Sequence, residues 1–268
     1  MTYIERHELL LKAKPILFNT EMVRAILDGR KTVTRRVLKK QDADRTFNFD
    51  YVLDKNGTIY AADLYSDNGN NGCCTVENKA PYLEGDILYV REAWKRFCGM
   101  LYGWGNGTYI PLDDFEGYQY KADEQCICTK GINPFCDGFD DQKRDISFDD
   151  KWHPSIHMPK EAARIFLRVT NVRVERLQDI TEDDIVNEGA EKLILCPDEY
   201  GIIEPDGTLG DMCWNTGCCG GNCKYIDKSY GELFGEIVWD GTIKPKNLSK
   251  YGWAANPFVW VIEFERIG

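Results

Sequence analysis

The sequence predicts an α+β protein, built as a small β-barrel with peripheral helices. Apolar runs of strand length recur along the 268 residues, whereas helical patterns are few. Polar stretches separate these runs, so the predicted strands pair with partners that are distant in the chain. We expect one domain over residues 1–268, with loop-rich, cysteine-containing insertions at about 41–80, 97–150 and 191–250.

The N-terminal part of the chain predicts a strand, a helix and a second strand. Residues 15–18 are a short apolar run, and residues 20–27 carry apolar side chains at helical spacing. Asn19 or Thr20 can cap this helix, and Gly29 can end it in a left-handed turn. The β-branched residues that follow favour a strand up to residue 37.

The middle of the chain adds strands and one irregular loop. Residues 85–94 read as a turn followed by a strand, and residues 118–121 as a further strand. Prolines bracket residues 152–159, so we expect this segment to be extended or turning. Residues 165–174 form a long predicted strand whose apolar period shifts near Thr170 and Asn171, as it does at a β-bulge.

The C-terminal part predicts two helices and a closing strand. Thr181 opens a helix with a capping-box pattern, and Gly189 ends it. Residues 233–238 suggest a short second helix. The last segment alternates apolar and other residues, which indicates a strand with one strongly buried face; its apolar positions are Phe258, Trp260, Ile262 and Phe264.

A basic run at residues 29–36 is the most distinctive feature of the sequence. It concentrates Lys31, Arg35 and Arg36 in a chain whose net charge is -11. A local positive field in an acidic protein suggests an anionic ligand or a specific cationic site. The alternative is an ordinary solvated strand end, because basic runs are common.

Composition limits the partners and the compartment. The net negative charge argues against general binding to duplex DNA or RNA, because contacts to phosphates dominate that affinity. A nucleoside, a short strand or one modified base remains possible as a ligand. The longest apolar runs are too short for a membrane span, and the N-terminus lacks the layout of a signal peptide. We therefore expect a soluble cytoplasmic protein without a membrane partner, and we infer no stable protein partner.

The cysteines raise the question of a metal. There are 11, and with no export signal they favour reduced thiols or metal ligation over disulfides. Four lie close together in a glycine-rich stretch and could hold a structural zinc: Cys213, Cys218, Cys219 and Cys223. Because two of them are adjacent, one could be replaced by Cys196 or by a cysteine of residues 97–150, namely Cys126, Cys128 or Cys136. Reduced, packed thiols are the competing interpretation.

Further candidate site residues lie in three other segments. Glu92 and Trp94 end a predicted strand, where they could line a pocket or form an ordinary ion pair beside a packed tryptophan. Ser155 and His157 lie in the proline-bracketed loop. Glu188 stands at a helix C-terminus, where the helix dipole disfavours a carboxylate, and this placement suggests a function for it.

Together these motifs resemble the ASCH family of the PUA-like superfamily of small β-barrels. Four blocks carry the resemblance: residues 26–36, 85–94, 177–189 and the closing strand. The chain looks like the long phage and prophage branch, in which segments such as residues 152–159 and the ending at 253–260 are typical. The cysteine-rich insertions depart from the family pattern.

The resemblance implies an activity on RNA or modified bases. Small relatives are amidohydrolases that remove the acetyl group from N4-acetylcytidine, and their catalytic pattern matches Lys31, Thr34 and Glu188 here. Arg36 matches a further basic position. Amide cleavage needs a nucleophile, a base and stabilisation of an oxyanion, and no cofactor is required. Residues 31 and 34 of a regular strand would face opposite ways, so this site needs an irregular backbone between them.

Two other functions remain open from the sequence. The chain could bind RNA or a modified base without chemistry, with Trp94, Trp152 and the arginines stacking on or hydrogen bonding a base. It could also be a ribonuclease in which Glu92 or His157 moves protons. We expect the lysine motif, Glu92, residues 152–159 and Glu188 to converge on one cleft of the barrel. The predicted substrate-binding residues are Arg35, Arg36, Glu92, Trp94, Ser155 and His157.

Overall fold

The computed structural model describes residues 3–41, 47–66, 76–131, 143–190, 193–194, 202–203 and 229–268. The protein is an α+β protein dominated by strands. Its helices are α1 (Tyr3–Lys12), α2 (Thr20–Leu27), α3 (Glu182–Asn187), α4 (Tyr230–Leu233), α5 (Asp240–Thr242) and α6 (Leu248–Tyr251), with a π-helical turn at Phe234–Trp239. Short 3-10 turns occupy Ser155–His157, Lys160–Ala162, Leu177–Asp179, Pro245–Asn247 and Trp253–Ala255.

The strands hold more of the described residues than the helices do. They are β1 (Lys14–Leu17), β2 (Val33–Val37), β3 (Phe47–Leu53), β4 (Ile59–Ser66), β5 (Val76–Lys79), β6 (Ile87–Arg91), β7 (Trp94–Gly105), β8 (Thr108–Tyr120), β9 (Cys126–Lys130), β10 (Lys143–Phe148), β11 (Phe166–Arg176), β12 (Leu193–Ile194), β13 (Ile202–Ile203) and β14 (Phe258–Arg266). In the described ranges the strand orders leave every sheet open, and the expected barrel stays a prediction.

The chain forms two compact units. Unit 1 comprises Met1–Asp28, Asp86–Arg168 and Arg266–Gly268, and unit 2 comprises Gly29–Gly85 and Val169–Glu265. Strand β11 begins in the first unit and ends in the second. The single domain with three insertions that the sequence suggests stays a prediction. No helix within the described ranges has both the length and the hydrophobicity needed to cross a membrane.

Unit 1 contains a parallel strand pair and an antiparallel four-stranded sheet. Strand β1 pairs in parallel with β6, which pairs antiparallel with the first residues of β11. The second sheet has the order β10-β7-β8-β9. Its inner face buries a small cluster of Phe97, Leu101 and Phe115, while Tyr89, Tyr120 and Phe166 belong to the larger core of this unit.

Unit 2 is built around β2, β14 and the end of β11, with α3 and the C-terminal helices packed nearby. Strand β14 pairs antiparallel with β2, and β3, β4 and β5 form a separate antiparallel sheet. The core of the unit gathers Val33, Ile185, Trp239, Trp253 and Val259 among others.

Two sequence-based expectations about this fold were wrong. The described parts of the first two insertions contain strands rather than only loops: β3, β4 and β5 lie in the first, and most of β7 together with β8, β9 and β10 lies in the second. Strand β14 buries both faces rather than one. Val259 and Val261 are as buried as Trp260 and Ile262, because they pack into the core of unit 2.

Other expectations are confirmed. Asn19 caps α2, with its Oδ1 accepting the Met22 amide at 2.8 Å, and Gly29 follows in the left-handed region with φ 77°. Residues 230–239 are helical, as the spacing of their apolar side chains predicts. Along β11 the buried positions change parity at Thr170 and Asn171, which are both exposed.

Candidate functional site

The basic run lies where helix α3 ends. Thr181 accepts the Asp184 amide to complete the predicted capping box at the start of this helix, and Gly189, with φ 88°, follows its last turn. Helix C-termini carry unpaired carbonyl groups and a partial negative charge, which cations and N–H donors stabilise.

Three consecutive residues of the basic run bind three consecutive carbonyls at that helix end. Arg30 Nη1 donates to Gly189 O at 3.0 Å, and Lys31 Nζ donates to Glu188 O at 2.9 Å. The Thr32 amide donates to Asn187 O at 2.9 Å. Part of the run is therefore engaged in holding α3 against the start of β2.

Lys31 and Glu188 form a buried ion pair. Lys31 Nζ lies 2.6 Å from Glu188 Oε2, and it also donates to Val33 O at 2.7 Å. The Lys31 side chain is fully buried and that of Glu188 is 8% exposed. Burial lowers the pKa of Lys31, and the Glu188 carboxylate partly offsets this effect.

Arg35 links this pair to further carboxylates. Its Nη1 lies 3.2 Å from Glu188 Oε1, and its Nη2 lies 2.7 Å from Glu175 Oε1 and 3.1 Å from Asp184 Oδ2. The Arg35 side chain has no exposed surface. The negative charge of Glu188 is thus paired with two buried cations, Lys31 and Arg35. Their attraction offsets the repulsion between this carboxylate and the partial negative charge of the helix C-terminus.

Thr34 is held by a different cation. Arg36 Nη1 donates to Thr34 Oγ1 at 2.9 Å, and Thr34 is 1% exposed. In the part of the chain that the structure describes, the hydroxyl hydrogen bonds to Arg36 and not to Lys31. Burial lowers the pKa of the Arg36 guanidinium, while Glu188 and Tyr82 act in the opposite direction.

The backbone from Lys31 to Thr34 is only partly in a regular strand. Strand β2 begins at Val33, so Lys31 and Thr32 precede it and do not follow its alternation. Thr34 and Arg36 share one face of the strand and Arg35 lies on the other. The lysine side chain folds back onto its own chain at Val33 O, and this places its ammonium beside Glu188.

The remaining predicted site residues belong to unit 1. Arg164 binds both carboxylate oxygens of Glu92, each at 2.9 Å, and Glu92 is only 1% exposed. Burial raises the pKa of Glu92, although Arg164 counteracts it. Arg164 also contacts Asp123 Oδ2 at 2.8 Å and stacks over Tyr120. The Glu92 carboxylate therefore already has a bidentate partner.

The proline-bracketed loop carries a histidine that the sequence reasoning did not single out. His153 Nε2 lies 2.9 Å from Asp149 Oδ2, and the ring stacks on Trp94 with centroids 4.7 Å apart. His157 is exposed, and Ser155 starts a 3-10 turn whose next residue contributes its carbonyl to Arg91. Of the predicted residues, the structure brings Lys31, Arg35 and Glu188 together; convergence of the others on a common cleft stays a prediction.

Several partners in these networks were missed. They are Asp149, His153, Arg164, Glu175 and Asp184. The spacing of Asp149 and His153, four residues apart, was the one local signal for any of them. Glu92 and Arg164 are 72 residues apart, and no pattern in a single sequence pairs them.

The predicted zinc ligands Cys213, Cys218, Cys219 and Cys223 lie outside the described residues, as does Cys196. Cys98 is exposed, and Cys126 and Cys128 are half-buried. Among the side chains that the structure describes, no cluster of three or more histidine, cysteine or acidic residues is arranged to hold a metal. The zinc site therefore stays a prediction.

The chain was compared with known protein families, curated proteins and solved structures, and none of them matches it.

Proposed function

We propose that this protein is a hydrolase that removes the acyl group from an N-acylated pyrimidine nucleoside such as N4-acetylcytidine. The observation that carries the proposal is the buried contact of Lys31 Nζ with Glu188 Oε2 at 2.6 Å, in the same unit as Thr34. The resemblance of the sequence to the ASCH family supplies the substrate class. A PUA-like barrel and a cytoplasmic location belong to the same proposal.

The proposed chemistry uses Thr34 as the nucleophile. Its Oγ1 attacks the acyl carbon and its proton passes to Lys31, which must be neutral to accept it. Burial in a site shared with Arg35 and Arg36 favours the neutral amine, because it lowers the pKa of Lys31. Collapse of the tetrahedral intermediate breaks the acyl carbon–nitrogen bond as the proton moves to the leaving exocyclic amine. Water then hydrolyses the threonine ester and releases the free acid.

Arg36 and Glu188 have supporting roles in this scheme. The Arg36 guanidinium donates to Thr34 Oγ1 at 2.9 Å, which stabilises the developing alkoxide. Glu188 orients the Lys31 amine through Oε2. Because Thr34 is 1% exposed, the substrate reaches it only when unit 2 opens locally at β2.

The test is turnover of a panel of acylated and unmodified nucleosides, followed by mass spectrometry. Thr34→Ala should lower the rate by at least about a hundredfold, whereas Thr34→Ser should retain part of it. Thr32→Ala is the matched control, because Thr32 is exposed and its hydrogen bond to Asn187 uses the backbone amide. Equal rates for the parent and Thr34→Ala would exclude Thr34 as the nucleophile.

A non-catalytic reader of modified bases is the second candidate, and one observation favours it. Lys31 Nζ donates to three acceptors, at 2.6, 2.7 and 2.9 Å, and these satisfy all three protons of a charged ammonium. A lysine held in this way is a donor rather than a base. Binding of a nucleoside by calorimetry with no product under any condition would favour the reader over the hydrolase.

A further inference from the structure

Among the described residues, β7 and β8 pair with each other over a longer range than they pair with β10 and β9. Strand β10 pairs with β7 from Phe97 to Tyr102, and β9 pairs with β8 from Gln119 to Glu116. Strands β7 and β8 continue to pair up to Gly105 and Thr108, where Asn106 and Gly107 form a turn with φ 53° and 78°. We term residues 103–111 the hairpin arm; among the described residues, the ladder partners of its two strands are each other.

One face of this arm carries aromatic rings. Trp104 is 68% exposed and Tyr109 is 47% exposed, and their rings meet edge to face with centroids 5.0 Å apart. Lys143 Nζ lies 5.4 Å from the Tyr102 ring and 5.4 Å from the Tyr109 ring. We call these four side chains the aromatic face.

The opposite face is aliphatic and packs against its own strand. Ile110 lies over Gly105, where an added Cβ would come within 2.9 Å of it, and Leu112 lies over Gly103 at 3.0 Å. Ile110 is 41% exposed and Leu112 is 56% exposed. The arm therefore presents two exposed apolar faces of different chemistry, and exposed apolar surface of this extent marks interaction sites.

We propose that the aromatic face binds single-stranded nucleic acid by stacking bases on Trp104 and Tyr109. The flat face of a nucleotide base can stack on the rings of Trp104 and Tyr109. The negatively charged phosphate of the nucleotide can pair with the Lys143 ammonium. The proposal uses residues of unit 1 alone and does not depend on the hydrolase activity.

The position of Lys143 favours a nucleic acid over a protein partner. The centres of protein interfaces are depleted of lysine, because an ammonium loses its hydration there. Against a single strand the same ammonium keeps a charged partner. Asp145 pairs with Met100 and so lies two positions farther from the arm tip than Lys143. Asp114 is paired with Lys130 at 2.7 Å.

The acidity of the chain shapes what this surface can bind. With a net charge of -11, the protein repels a long polyanion, so affinity must come from stacking and from one phosphate contact. For single strands, the logarithm of affinity falls with the logarithm of salt by about 0.7 for each phosphate that is neutralised. A slope near this value, several-fold shallower than that of a basic nucleic-acid-binding protein, is the signature of the proposed contact.

The experiment is a titration of the full chain with short labelled oligouridylate and oligothymidylate, followed by fluorescence anisotropy. Trp104→Ala should weaken binding about tenfold or more, since stacking on one aromatic side chain contributes that much. Trp104→Phe, which keeps a ring, should retain most of the affinity, and Lys143→Met should remove the salt dependence. Ile110→Ser with Leu112→Ser is the matched control on the opposite face and should bind like the parent.

Three results would overturn the proposal. They are a parent that binds neither strand, an equal loss in the aromatic and aliphatic variants, and self-association of the parent that Trp104→Ala abolishes. The last of these would assign the face to a protein partner instead. The arm variants change residues of unit 1 and the turnover test changes Thr34 of unit 2, so failure of the hydrolase proposal and failure of this one are distinguishable.

Discussion

Replacing Lys31 by methionine tests whether the buried ion pair stabilises unit 2. The Lys31 side chain has no exposed surface, and its ammonium satisfies Glu188 Oε2, Glu188 O and Val33 O. Methionine keeps a similar volume but removes all three hydrogen bonds, and each buried acceptor left alone costs about 1–3 kcal/mol. Since Arg35 still pairs with Glu188, we expect a net loss of about 3–5 kcal/mol, the usual cost of breaking a buried pair.

The structure provides an exposed pair of equal length as the control. Lys14 Nζ lies 2.6 Å from Asp86 Oδ2, the same distance as in the Lys31–Glu188 pair, but its side chain is 48% exposed. Lys14→Met should therefore cost no more than about 1 kcal/mol. Because the two lysines belong to different units, urea unfolding should be followed with probes that resolve two transitions.

A double-mutant cycle isolates the interaction itself. Lys31→Met combined with Glu188→Gln should lose less stability than the sum of the two single changes, by about 1–3 kcal/mol. Strict additivity would refute an energetic link between the two side chains. A cost for Lys31→Met no larger than that for Lys14→Met would refute the reasoning from burial.

Two further predictions concern the packing of unit 2 and the cysteines. Gly235→Ala should destabilise unit 2 by about 1–3 kcal/mol or more, because its Cβ would lie 1.9 Å from Trp253 Cδ2, whereas Gly241→Ala, with nothing within 4 Å, should be neutral or slightly stabilising in thermal unfolding. Elemental analysis of protein purified without chelator should find about one equivalent of zinc if Cys213, Cys218, Cys219 and Cys223 bind it, and less than a tenth of an equivalent would end that prediction.

Features determined by neighbouring residues could be predicted from the sequence. The Asn19 cap, the left-handed Gly29 and the capping box at Thr181 depend on contacts within three or four residues, and each was read correctly. The end of α3 at Gly189 was also identified. Such helix boundaries depend on contacts between residues that are close in the sequence, so a short sequence pattern predicts them.

Features that depend on distant partners could not be predicted. The strands at 47–53, 94–105 and 108–120 contain asparagine, aspartate, glycine and proline residues, which are typical of turns and loops. Glu92 pairs with Arg164, which lies 72 residues later in the sequence. Lys31 of the basic run binds Glu188 at the end of α3, which lies 157 residues later. The run looked available for an anionic ligand because the residues that neutralise it are remote in the sequence.

The junction between the basic run and α3 has a consequence for the order in which the protein is made. Lys31 precedes Glu188 by 157 residues, so at typical translation rates of about 5–20 residues per second the lysine waits roughly 8–30 s for its partner. During that interval Lys31 and Arg35 remain hydrated. Strand β2 stays unpaired with β14 for longer still, because β14 comprises residues 258–266 and is synthesised later than Glu188. Unit 2 can therefore close only after almost the whole of this chain has left the ribosome.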